Sequence, residues 1–260
     1  MSAPLLRQQL KFHAKQTMLQ PRRPLAFTVT MVYFTLGTLL TLFEYNLSDF
    51  GRFRLAIAQL TLERLEAFSQ FEALPPAIIP AFEFTLLGQF FFFVPWILMW
   101  MTNLGYLYYV LGITRGETLG YRALFEGFNF FFRAIWVRLL RLILVGLGTL
   151  LFIVPGIVFL CAFSQVNYLL LDNPDKGTVW LFKESWRLMR GRKREYLMLL
   201  LSFTGWFLLT NLTVVVPILG YAAQFWLIAY STFTMVNYYL LISGGESEPP
   251  ESGWKRPGMF

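Results

Sequence analysis

Long stretches of this chain contain no charged residue, and they restrict it to a fold built inside a lipid bilayer. Leu25 to Phe43 is one such run of 19 residues. As an α-helix it would rise about 28 Å, close to a hydrocarbon core of about 30 Å. Apolar residues make up 56% of the sequence and charged residues only 14%, whereas about 25% of a soluble domain is charged. The sequence therefore predicts an all-α, polytopic integral membrane helical bundle.

Hydropathy divides the chain into one helical membrane domain, residues 25–242, with a polar segment on each side. The predicted hydrophobic segments are 25–43, 84–113, 139–154, 157–171, 196–216 and 221–242, with an outer loop at 44–80. Residues 1–24 carry five Lys and Arg residues and no acid. Since Lys and Arg stay on the cytoplasmic side of membrane spans, this segment is expected in the cytoplasm. Six segments also place residues 243–260 there, as a disordered tail.

The outer loop is predicted to carry a helix that lies on the membrane surface. It is net acidic, and apolar residues recur at roughly helical spacing in "RLAIAQLTLERLEAF", residues 54–68. Pro75, Pro76 and Pro80 are expected to end this helix.

Residues 139–171 allow two arrangements. As one helix these 33 residues would be about 50 Å long, well beyond the bilayer core. The Pro155-Gly156 pair is a strong helix breaker. A single kinked crossing would also place the basic sequence "RLMRGRKR", residues 187–194, outside the cell. We favour a hairpin that turns at Pro155 and Gly156, with arms short enough to dip into the membrane.

Two cytoplasmic segments have the pattern of amphipathic surface helices. In the second, Lys183, Arg187, Arg190 and Arg194 fall on one face, opposite an apolar stripe with Trp180 and Trp186 at its borders. In the first, Arg122, Glu126, Asn129 and Arg133 share a polar face, opposite a face of aromatic residues and Leu124. Such helices lie in the headgroup plane with cations toward phosphates. The residues predicted to contact anionic headgroups or a protein partner are Lys183, Arg187, Arg190, Arg192, Lys193, Arg194, Arg122 and Arg133.

Other kinds of site are poorly supported by the sequence. Nucleic acid is not expected as a partner, because the basic cluster has Trp, Leu and Phe neighbours and no room for an exposed binding domain. Asp172 and Asp175 could offer carboxylates to a metal, but they are interpreted as caps between helices. The chain has one cysteine, Cys161, and one histidine, His13. No catalytic, cofactor or metal residues are therefore predicted, and the chain is not expected to be an enzyme.

A series of short motifs from Arg115 onward resembles the domain of unknown function 975 family of bacterial multi-pass membrane proteins. The motifs are Arg115-Gly116-Glu117, Leu124 to Phe128, Ile153 to Ile157, Asp172 to Asp175, Lys183-Glu184-Ser185, Leu188 to Gly191 and Leu201 to Trp206, with "LKFHAK" near the N-terminus. The resemblance implies a bacterial plasma-membrane protein without an established activity. The family is also distantly similar to the membrane domain of glycerophosphodiester phosphodiesterases, which implies a lipid-related or accessory role.

Two functions remain open at this point. The first is a non-enzymatic scaffold or accessory protein held at the cytoplasmic leaflet by its basic helices. The alternative is a carrier for a small or lipid-like solute, with the Pro-Gly hairpin as its discontinuous element. A carrier would need its membrane amides to converge on one cavity; these are Asn103, Asn167, Asn211, Gln224 and Asn237.

Overall fold

The computed structural model describes residues 3–19, 24–69, 85–212 and 217–244, and most of these residues are helical, with no β-strand among them. The helices are α1 (Ala3–Leu19), α2 (Pro24–Leu47), α3 (Asp49–Ser69), α4 (Leu86–Thr114), a 3-10 helix (Tyr121–Phe130), α5 (Phe131–Leu151), α6 (Ile153–Ala162), α7 (Val166–Asp172), α8 (Thr178–Leu188), α9 (Lys193–Leu212) and α10 (Pro217–Ser243).

Five segments among the described residues are long and apolar enough to cross a membrane. They are Phe27–Leu47, Leu86–Thr114, Tyr121–Leu151, Ile153–Asp172 and Gly220–Ser243. The predicted all-α membrane bundle is thus confirmed. The sixth predicted segment, 196–216, falls on α9, which is not one of the five; residues 213–216 lie outside the described part of the chain.

The chain divides into two compact units, residues 33–100 and residues 1–32 with 101–260. In the first unit, the Asp49 carboxylate accepts hydrogen bonds from the backbone N–H and the hydroxyl of Thr85, at 2.8 and 2.7 Å. Arg54 and Glu44 form an ion pair at 2.6 Å. α3 confirms that residues 54–68 are helical; Pro75, Pro76 and Pro80 lie outside the described residues.

The second unit contains the hairpin, which is made of α5 and α6. Gly148 and Thr149 of α5 lie against Gly156 of α6, so the two helices run antiparallel. The chain turns at Phe152, which is extended (φ −160°, ψ 152°). The predicted turn at Pro155-Gly156 is therefore wrong by three residues. Pro155 lies in the first turn of α6, where the missing N–H of proline costs no hydrogen bond.

The returning arm of the hairpin is not continuous. A turn at residues 163–165 separates α6 from α7, where a single segment, 157–171, was predicted. The backbone N–H and the hydroxyl of Ser164 both donate to the Cys161 carbonyl, at 3.3 and 2.8 Å, which satisfies this carbonyl at the end of α6.

α1, α9 and α10 contribute buried side chains to the core of this unit. Leu10, Cys161, Tyr196, Phe203 and Tyr238 belong to one buried cluster. Burial, together with the charge of Arg7, lowers the pKa of Lys11, whose ammonium lies 4.5 Å from the centre of the Phe203 ring. Residues 3–19 of the basic N-terminal segment thus form a helix, α1, that packs against the core of this unit.

Candidate functional site

The amphipathic character predicted for the second basic segment is present in α8, but protein covers its apolar face. Leu181, Phe182 and Ser185 are buried. The Ser185 hydroxyl donates to the Ala162 carbonyl at 2.7 Å, and the rings of Phe182 and Phe163 are 5.1 Å apart. The prediction that this stripe faces lipid is therefore wrong, because α6 occupies the position assigned to the bilayer.

The cationic face predicted over residues 183–194 is interrupted by a turn. α8 ends at Leu188 and α9 begins at Lys193, with Gly191 in the left-handed region at φ 78°. Glycine adopts this conformation without the Cβ penalty of other residues. Met189 before the turn and Tyr196 after it are buried. We call residues 187–194 the basic turn.

Most cations of this region remain in contact with solvent. The exposed members are Lys183, Arg187, Arg190, Arg192 and Arg194, and Lys193 is half-buried. The Arg187 guanidinium donates hydrogen bonds to the Glu184 carboxylate, and these bonds raise the pKa of Arg187. The Lys193 ammonium lies 3.8 Å from the centre of the Trp186 ring. The predicted cations between residues 183 and 194 thus remain at the protein surface, and Lys193 lies over Trp186.

The first basic segment is a 3-10 helix rather than an α-helix up to Phe130. Three residues per turn place i and i+3 on one face, so the face predicted with α-helical spacing through Arg122, Glu126 and Arg133 does not form. Arg122 is exposed and Arg133 half-buried. Gly105 lies so close to the Leu124 carbonyl that a Cβ would be 1.9 Å from its oxygen. The 3-10 helix is thereby held against α4.

Asp172 has a role that the sequence did not predict. Its two carboxylate oxygens accept hydrogen bonds from both terminal nitrogens of Arg115, each at 2.7 Å, and the Tyr239 hydroxyl donates to Oδ2 at 2.6 Å. Burial alone would lower the pKa of Arg115, but the hydrogen bonds and charge of Asp172 outweigh it and raise that pKa. This ion pair joins the ends of α4 and α7. The hydrogen bond from Tyr239 connects α10 to the same carboxylate.

The caps predicted at Asp172 and Asp175 are wrong. The N-cap of α8 is Gly177, with no hydrogen bond from its side chain. Asp175 is exposed, and Asp172 is engaged by Arg115 and Tyr239. A signal for the ion pair was present in the sequence, because charges of opposite sign directly follow two apolar runs expected to end on the same side of the membrane.

The amides that a carrier would use differ in their surroundings. Asn103, Asn167 and Asn237 are half-buried, Gln224 is exposed, and the side chain of Asn211 lies outside the described residues. One open groove of about 370 Å³ lies elsewhere, along α3, lined by Leu60, Thr61, Arg64, Leu65 and Phe68. The carrier hypothesis stays a prediction.

Groups of metal-ligand type are dispersed in the described ranges. Within residues 3–19, 24–69, 85–212 and 217–244, no three His, Cys, Asp or Glu side chains lie together in a way that could hold a metal ion. Cys161 is a buried free thiol.

Comparison with known proteins connects the second half of the chain with a family. Residues 150–246 match the model of a family described as "Protein of unknown function (DUF975)". The matched stretch starts at the end of α5 and includes the basic turn, Asp172 and α10. No curated protein and no solved structure matches the chain. The segment 150–246 is therefore similar to a family whose description assigns no function.

Proposed function

We propose that the chain is a non-enzymatic scaffold or accessory protein that binds anionic lipid at the cytoplasmic leaflet of a bacterial plasma membrane. The observation that carries this proposal is the exposed basic turn. It directly follows α8, and α8 is hydrogen-bonded to the end of α6, one arm of the apolar hairpin. Cations next to a membrane-embedded element meet phosphate headgroups, with about 1 kcal/mol per Lys or Arg. A protein partner docked on the same surface would use the same charges.

The orientation is part of the proposal. The basic turn lies inside the cell if Lys and Arg follow the positive-inside rule. With six hydrophobic segments, both termini are then cytoplasmic and the helix α3 is outside. We further propose that the family resemblance extends over the chain before residue 150, and that the distant similarity to the membrane domain of glycerophosphodiester phosphodiesterases reflects a shared lipid-related role.

Lipid binding is tested with two variants that lose equal charge. Arg190→Gln with Arg194→Gln changes the basic turn, while Lys15→Gln with Arg52→Gln changes exposed cations elsewhere. The purified protein, in phosphatidylcholine nanodiscs, is titrated with fluorescent phosphatidylglycerol. We expect the first variant to bind about 30-fold more weakly, since two cations contribute about 2 kcal/mol. Equal weakening in both variants would contradict a role for this surface.

Orientation is tested separately by thiol labelling of cells. Arg190→Cys is placed in a Cys161→Ala background, because Cys161 is the only cysteine. A membrane-impermeant maleimide should label this thiol only after the cells are permeabilised. Labelling of intact cells would place the basic turn outside and end the proposal for the cytoplasmic leaflet.

A further inference from the structure

The end of the α5–α6 hairpin presents apolar side chains outward on both arms. We call residues 147–157 the hairpin tip. Leu150 is 85% exposed, Phe152 74% and Ile153 72%. An apolar surface of this kind is stable only when a non-aqueous neighbour covers it. The hairpin tip therefore extends into an apolar phase or against another protein surface.

We call the end of the hairpin opposite the tip, at Arg141 of α5 and Ala162 of α6, the root. Cations lie at the root beside both arms. On the α6 side, the Trp186 ring is 6.0 Å from the Phe159 ring and 5.8 Å from the Phe163 ring, and the Lys193 ammonium lies over Trp186. The basic turn is thus held at the C-terminal end of α6. On the α5 side, Arg141 is half-buried. Because charged groups remain near headgroups or water, the root defines where the hairpin enters the membrane.

The distance from root to tip is short. α6 has 10 residues, about 15 Å of helix, and the charge-free part of α5 after Arg141, residues 142–151, has the same length. α9 begins at the same root with Lys193 and has 20 residues, about 30 Å. A hydrocarbon core of about 30 Å can be crossed by a helix of the length of α9. Measured from the root, each hairpin arm reaches about half that far, although the longer segments Tyr121–Leu151 and Ile153–Asp172, which continue beyond the root, are long enough to cross a membrane.

We propose that the α5–α6 hairpin is re-entrant: it enters the leaflet on the side of the basic turn and ends near the bilayer midplane, covered by acyl chains. Arg141 and the basic turn stay at the headgroups, and the long Arg141 side chain extends toward them. The backbone at the turn around Phe152 is compatible with this depth, since its N–H donates to the Gly148 carbonyl at 3.2 Å. The identity of this leaflet depends on the orientation proposed above, whereas the depth of the hairpin does not.

Depth is measured with nitroxide labels in reconstituted protein. In the Cys161→Ala background, single cysteines replace Leu142, Leu147 and Phe152, and Val179→Cys on α8, whose native side chain is 64% exposed, is the control at the root. The protein is placed in vesicles of phosphatidylcholine and phosphatidylglycerol. The ratio of accessibility to oxygen and to a water-soluble nickel complex reports depth. We expect depth to increase by about 1.5 Å per residue along α5 and to be greatest at position 152, near the midplane.

Three outcomes would overturn the proposal. Reaction of the position-152 thiol with an impermeant maleimide on the side opposite Val179→Cys would show that the hairpin crosses the membrane. Reaction on the same side would place the tip in water. A cross-link between position-152 thiols of two copies, at high dilution in lipid, would show that a second copy covers the tip. If Phe152→Cys does not fold, Leu150→Cys gives the same readouts at an equally exposed position. A depth measurement that contradicts the re-entrant hairpin would leave the lipid-binding test of the basic turn unaffected.

Discussion

The Tyr239 hydroxyl donates a 2.6 Å hydrogen bond to the Asp172 carboxylate, from a residue 67 positions further along the chain. The same carboxylate binds both terminal nitrogens of Arg115. The ends of α4, α7 and α10 are thus held by one side chain, and Tyr239 also stacks on Tyr168, with 5.0 Å between ring centres.

Asp172→Asn should destabilise the protein. The change leaves the Arg115 guanidinium without its charge partner in a site where the two side chains are only 25% and 16% exposed. Breaking a fully buried pair costs about 3–5 kcal/mol, and with this partial exposure we expect about 2 kcal/mol. Thermal unfolding in detergent measures the loss. Asp175→Asn, three residues away and exposed, is the control and should change stability very little.

Tyr239→Phe should cost about 1–2 kcal/mol, because it removes one hydrogen bond to a charged acceptor and keeps the stacked ring. Combined with Asp172→Asn in a double-mutant cycle, the two effects should not add, since both changes weaken the same contact. Additive losses in the free energy of unfolding would show that the hydroxyl and the carboxylate act independently.

Gly105→Ala should disrupt the packing of the 3-10 helix against α4. The new Cβ would be 1.9 Å from the Leu124 carbonyl oxygen, so backbone must move, at about 2–3 kcal/mol. Gly146→Ala is a matched control in α5, where no atom lies within 4 Å of the added Cβ. Since alanine favours helix over glycine, the control should be stabilised by about 0.5–1 kcal/mol. Equal unfolding temperatures for the two variants would contradict the close approach.

Acid should weaken the contact between Asp49 and Thr85. The hydrogen bonds from the hydroxyl and then the backbone N–H of Thr85 lower the pKa of Asp49. Their stabilising contribution is therefore complete above the ordinary carboxyl value, about 4, and is lost as pH falls through the lower folded value. Thr85→Val should show a smaller loss of unfolding temperature between about pH 6 and pH 3. Thr61→Val on the exposed part of α3 should keep the wild-type acid dependence.

The sequence was most informative where a single physical rule decided the structure. Charge-free runs located α2, α4 and α10 to within a few residues, because a bilayer excludes charge. The hairpin followed from a run too long for one crossing, yet its turn is at Phe152, since proline is tolerated in the first helical turn. Pairing of Arg115 with Asp172 was missed because it joins residues 57 positions apart. Periodicity found the apolar face of α8, but periodicity does not distinguish lipid from α6 as its cover.

The attachment of the basic turn to the buried core affects how its cations can move. Met189 within it and Tyr196 just after it are buried, so its guanidinium groups are attached to a fixed segment rather than to a mobile loop. If the basic turn binds anionic lipid as proposed, the force of the headgroups on Arg190 or Arg192 reaches the buried cluster that contains both Met189 and Cys161 of α6. The anionic lipid content of the membrane would then act on the packing of α6.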